Sequence, residues 1–117
     1  MNTSIDAFYA VYLTGAAGLS LALIALLNGR IIGVDATGVK ISGSYTTEEA
    51  AGHRVRAKVA LPANTPLIQG VVTGPQADLY EVEFNLPPDF LERDYIRVET
   101  KYGPLNARFV RLGDFDE

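Results

Sequence analysis

The sequence predicts a single N-terminal transmembrane α-helix followed by a small, mostly β domain, an antiparallel β-sandwich or barrel. Three observations lead there. Ala7–Leu27 is a run of 21 residues with no charged side chain between Asp6 and Arg30. Beyond it, short segments alternate apolar and polar residues and are punctuated by Gly and Pro, the pattern of half-buried strands. No sequence motif of a known catalytic or nucleotide-binding type occurs in the chain.

The apolar run comes first. At about 1.5 Å per residue, a helix of that length spans roughly 30 Å, the thickness of a bilayer's hydrocarbon core. Thr3 and Asp6 stand in the relation of a helix-capping pair, and Asp6 also meets the positive end of the helix dipole. Phe8, Tyr9 and Tyr12 fall where an aromatic belt would sit. Asn28-Gly29 reads as a helix stop, and Arg30 can reach the headgroups. Ala10, Thr14, Gly18 and Ala22 recur every four residues, a ridge of small side chains that lets a second helix approach. A cleavable signal peptide fits less well: MNTSID carries no basic residue, and LNGR is no small-x-small site. The expected division is therefore an anchor over residues 1–30 and a β domain over residues 31–117.

The β domain opens with a hairpin from Arg30 to Tyr45, turning at Asp35-Ala36-Thr37-Gly38. Thr46–Gly52 reads as a short capped helical turn. From His53 to Leu61 the alternation is clean, with Val55, Ala57, Val59 and Leu61 on one face and Arg54, Arg56 and Lys58 on the other. Leu67–Thr73 follows as an expected strand between two proline-bearing turns. Tyr80, Val82, Phe84 and Leu86 then face inward, opposite Glu81 and Glu83. Pro87-Pro88-Asp89 breaks that strand and starts a helical turn at DFLER. Tyr95–Leu112 is a final hairpin turning at Gly103-Pro104, with a bulge expected near Phe109, where the alternation changes parity. Six or seven strands are expected in all.

Composition narrows the function. The 117 residues carry 14 acids and 10 bases, a net charge of −4, which argues against a nucleic-acid partner. There is no cysteine, so thiol catalysis, disulfides and zinc–thiolate sites are excluded. His53 is the only histidine and has no triad partner near it in sequence. Asp114, Asp116 and Glu117 could hold a hard cation, but no glycine-bearing ligand loop accompanies them, and a solvated acidic tail is the simpler reading. Glu81 and Glu83 share a strand face, yet acid–base work needs surroundings that split their pKa values. The Arg54–Arg56–Lys58 stripe could contact headgroups or an acidic partner; equally, it could pair across to Glu81 and Glu83.

The sequence thus points to a non-enzymatic structural or assembly subunit with no cofactor and no metal. One N-terminal helix would hold it in a larger complex, a membrane-associated virion shell or a multisubunit membrane complex. Its partners would be the lipid bilayer and other subunits, copies of itself among them. Arg30 and Lys40 follow the helix and nothing basic precedes it, which favours an outer N-terminus. The alternatives are a membrane-tethered binding module, contacting partners through loops Pro62–Pro66 and Asn85–Arg93, and a filament subunit with packed N-terminal helices.

Overall fold

Asn28 and Gly29 hold φ values of 51° and 80°. Left-handed backbone at two consecutive residues is the signature of a type I′ hairpin turn, whose twist matches that of paired strands. The dipeptide therefore joins two strands and stops no helix. The computed structural model describes residues 4–48 and 50–115. Its strands are β1 (Ala7–Gly15), β2 (Gly18–Leu27), β3 (Arg30–Asp35), β4 (Lys40–Glu48), β5 (Gly52–Leu61), β6 (Asp78–Leu86), β7 (Ile96–Thr100) and β8 (Gly103–Gly113), with one 3₁₀ turn at Phe90–Glu92.

The expected transmembrane helix is replaced by the hairpin β1–β2, and no helix among the described residues is long and apolar enough to cross a membrane. The single-pass membrane placement and its N-terminus-out orientation fall with it. The physical reason lies in the two faces of the hairpin. Tyr9, Val11, Ile24 and Leu26 point inward and are buried, while Phe8, Tyr12, Leu21 and Leu23 point outward and are exposed. When both parities are apolar, the period-2 signal of a strand vanishes, and periodicity cannot separate strand from helix. The run breaks in its middle at Ala16-Ala17, the two-residue connection between the paired Gly15 and Gly18.

The eight strands form one antiparallel sheet in the order β6-β5-β4-β3-β2-β1-β8-β7. Each strand pairs with its neighbour in sequence except β6 with β7, and the β1–β8 ladder joins the chain's two ends. The sheet curls into a nearly closed barrel rather than two stacked layers. Between β6 and β7 no backbone ladder forms; side chains close the seam instead. Tyr102 donates its hydroxyl to Asp78, Lys101 Nζ lies 2.7 Å from the same carboxylate, and the Tyr80 and Tyr102 rings meet edge to face at 5.9 Å.

Smaller expectations also change. Thr46, Thr47 and Glu48 extend β4, where the sequence suggests a helical turn. Leu67–Thr73 is not a strand; only an isolated Pro66–Val72 bridge forms there. The register shift sits at the Phe8/Tyr9 step of β1, opposite Arg111 and Gly113, so the irregularity falls later on β8 than Phe109. The hairpins β3–β4 and β7–β8 and the strands β5 and β6 match their sequence patterns.

The two ends of the barrel are closed differently. At one end Phe90, carried by the 3₁₀ turn and 2 % exposed, plugs the opening. Its ring packs on Tyr9, Phe109 and His53 with centroids 5.9, 5.4 and 6.0 Å away. At the other end, the connection from Pro62 to Ala77 folds over as a lid. It is bonded to itself by Thr73 N–H to Thr65 O, Leu67 N–H to Val71 O and Thr73 Oγ1 to Pro62 O. Its tip is tied across the rim by Ala17 N–H to Ile68 O (2.7 Å) and Gln69 Nε2 to Thr100 Oγ1 (3.1 Å). Gly15 makes this closeness possible, since a Cβ there would lie 2.4 Å from the Ile68 carbonyl oxygen.

Candidate functional site

Two features of the barrel stand out from an ordinary β surface, and the N-terminal hairpin contributes to both. The first is its outer face. Register places Ala10 beside Leu23 and Leu23 beside Val34, while Phe8 pairs with Ala25, Ala25 with Ile32, and Tyr12 with Leu21. The rows run on into β8, where Val110 stands opposite Ala10. Leu112 and Phe115 extend the surface, the Phe115 ring lying 4.5 Å from that of Phe8. Ten of these side chains (Phe8, Tyr12, Leu19, Leu21, Leu23, Leu27, Ile32, Val34, Leu112 and Phe115) are on average half exposed. At about 175 Å² for a fully exposed side chain of this size, they present on the order of 900 Å² of apolar surface. The largest patch on a typical monomer is about 300–600 Å².

That surface is one-sided. The outer faces of β5 and β6 carry Arg54, Arg56 and Lys58 against Glu81 and Glu83. Arg54 and Arg56 both bond Glu83, at 2.9 and 3.1 Å, and the Arg54 hydrogen bond, with the Arg56 charge, holds the Glu83 carboxyl below its ordinary range. Lys58 stands opposite Glu81 in register. The basic stripe is thus largely a cross-strand charge ladder. Spanning strands would need an apolar belt around the whole circumference, and this barrel is apolar on about half of it.

The second feature is the interior. Toward the lid, the barrel interior holds a partly open cavity of about 120 Å³ lined by Val11, Ile24, Ile41, Val59, Val82 and Phe109, with Leu67 and Ile68 of the lid above. At the ~24 cal/mol per Å³ that empty enclosed cavities cost, a sealed void of this size would forfeit about 3 kcal/mol, a large share of the ~5–15 kcal/mol by which a domain is stable. The polar residues on its lining are engaged elsewhere. Asp35 Oδ1 accepts from Thr37 N–H, Thr37 Oγ1 and Val39 N–H, and Thr100 Oγ1 donates to Gly103 O while accepting from Gln69.

The other residues singled out in the sequence do not converge. Ala10 and Thr14 lie on the outer face of β1, Ala22 is buried inside, and Gly18 starts β2, so the helix-packing ridge has no counterpart. His53 is buried beside Phe90 and Tyr45; its Nδ1 lies 2.9 Å from Thr47 Oγ1, and burial lowers its pKa from 6.5. Asp6 accepts Asn28 N–H at 3.1 Å and the Tyr45 hydroxyl, pinning two hairpins together, and burial with that bond raises the Tyr45 pKa to about 12. Asp114 pairs with Arg111 at 2.6 Å, while Thr3, Asp116 and Glu117 lie outside the described residues. No group of three metal-ligating side chains occurs among the described residues. The loops Pro62–Pro66 and Asn85–Arg93 lie at opposite ends of the barrel and make no common surface.

Sequence reasoning misses both the outer apolar face and the cavity, although Asn28-Gly29 between two apolar runs is the signal that β2 and β3 form a hairpin and that no helix ends there. Comparison with protein-family models, with curated proteins and with solved structures finds no match.

Proposed function

We propose that the chain is a non-enzymatic assembly subunit that self-associates through the outer face of β8, β1, β2 and β3. The observation that carries this reading is the contiguous apolar surface of that face. Its roughly 900 Å² is slightly more than the ~800 Å² each partner contributes to a standard stable interface. Its central row, from Val110 through Ala10 and Leu23 to Val34, carries no charge, and charges stand at the margins of the patch, Arg108 opposite Tyr12, Arg30 opposite Leu27 and Lys40 opposite Val34. A two-fold contact requires only that one patch complement itself, and two sheet faces pack well when their side chains interdigitate. The charged faces of β5 and β6 then point away from the contact and keep the assembly soluble.

The test is sedimentation equilibrium of the wild type and of Leu23→Lys. Leu23 is 54 % exposed at the centre of the patch and points away from the core, so the fold tolerates the change. The wild type is expected to be a dimer at micromolar concentration, and Leu23→Lys a monomer with an unchanged circular dichroism spectrum. A wild type that stays monomeric at high micromolar concentration overturns the proposal, and so does a variant dimer as tight as the wild type.

A further inference from the structure

From the cavity beneath the lid, we infer that the barrel binds one small, uncharged apolar molecule, about the size of a single aromatic ring. The site is separate from the outer face, and the inference does not depend on self-association. Its volume of about 120 Å³ is close to that of engineered cavities of about 150 Å³ that stay dry and take up benzene or xenon. Most of its wall is aliphatic and aromatic, with Val11, Ile41, Val59 and Val82 around the barrel, and Phe84 and Phe109. No buried side-chain nitrogen or oxygen among the described residues lacks a partner. An enclosed water needs two to four polar contacts, and a charged ligand needs a compensating group; the polar groups on the lining, Ser20, Asp35, Thr37, Gln69 and Thr100, are already bonded to one another or to backbone. What remains is a ligand that gains by filling apolar space and needs no hydrogen bond.

The lid supplies the route. Its tip reaches the rim through one backbone bond, Ala17 N–H to Ile68 O, and one side-chain bond, Gln69 to Thr100. Leu67, 9 % exposed, is the side chain that the lid turns inward over the cavity. Lifting the tip breaks two hydrogen bonds and opens the apolar space without unzipping a strand pair.

Methyl-selective NMR of the full chain, titrated with benzene, tests this. Saturable one-to-one shifts confined to the methyl groups of Val11, Ile41, Val59 and Val82 are expected. Val59→Phe, which fills the cavity, should weaken benzene binding by about tenfold or more. Shifts confined to Leu21, Leu23, Ile32 and Val34 would place the ligand on the outer face and overturn the inference, as would the absence of saturable shifts. Benzene binding of undiminished affinity in folded Val59→Phe would overturn it too. Should Val59→Phe fail to fold, xenon added to the wild type decides: shifts at the interior methyls support the site, and none there removes it.

Discussion

Burial of His53 at the plugged end disfavours its imidazolium, so its folded pKa lies below the ordinary 6.5. The sign of the linkage follows. Below pH 6.5 the unfolded chain takes up a proton that the folded chain refuses, so stability falls as pH drops from about 6.5 toward the folded value. Above 6.5 the contribution is complete and constant. The groups around the ring are Thr47, Tyr45 and Phe90, none of which titrates in that window. We expect the melting temperature to fall between pH 7 and pH 5, and expect His53→Gln to flatten that part of the profile. Thermal melts across the range check it; equal slopes in the two proteins would assign the pH dependence to other groups. Acid sensitivity below the ordinary carboxylate range has a different source, since the Lys101 and Tyr102 hydrogen bonds lower the Asp78 pKa and Asp78 closes the β6–β7 seam. That contribution is present above the unfolded carboxylate pKa and is lost as pH falls through the folded one.

Among the elements, β5 and β6 are legible in the sequence because one face of each is charged and the other apolar. The hairpin β1–β2 is not, because its outer face is as apolar as its inner one. The failed helix expectation and the candidate interface therefore have one cause: four of the six leucines that make the run look like a membrane helix, Leu19, Leu21, Leu23 and Leu27, are exposed on the barrel. The lid is illegible for a related reason. Leu67, Val71 and Val72 have strand-like side chains, but the lid bonds to itself and to the rim, with no neighbouring strand to form a ladder. The cavity leaves no trace in the sequence, since it is a shortfall of volume among residues distant along the chain. Gly15 offers a direct test of how the lid is seated. A methyl group there would lie 2.4 Å from a backbone oxygen that cannot rotate away. Gly15→Ala should displace the lid tip and speed hydrogen exchange at the Ala17 amide, while amides in β4 and β5 keep their protection. Unchanged protection at Ala17 would mean that the lid accommodates the methyl group without letting go.

At the scale of the whole molecule, the position of β1 and β2 decides what the N-terminal segment is for. Read as an anchor, it could be removed and leave a folded body behind. In the barrel, β1 is the strand that joins β8 to β2, and β2 joins β1 to β3. Deleting residues 1–30 separates the four-stranded β3–β6 sheet from the β7–β8 hairpin and leaves side chains alone to hold them together at the seam. A two-stranded hairpin is at best marginally stable by itself. The same deletion strips Tyr9, Val11, Ala22, Ile24 and Leu26 from the core and takes one aromatic neighbour from Phe90. A chain of residues 31–117 should therefore show no cooperative melt by circular dichroism and should bind hydrophobic dyes, where the full chain melts in one transition. Adding a peptide of residues 1–30 should restore part of the strand signal, because both open edges, β3 and β8, present the ladder that β2 and β1 complete. A sharp melt of residues 31–117 near the temperature of the full chain would show instead that the hairpin is an appendage and that the remaining strands hold together without β1.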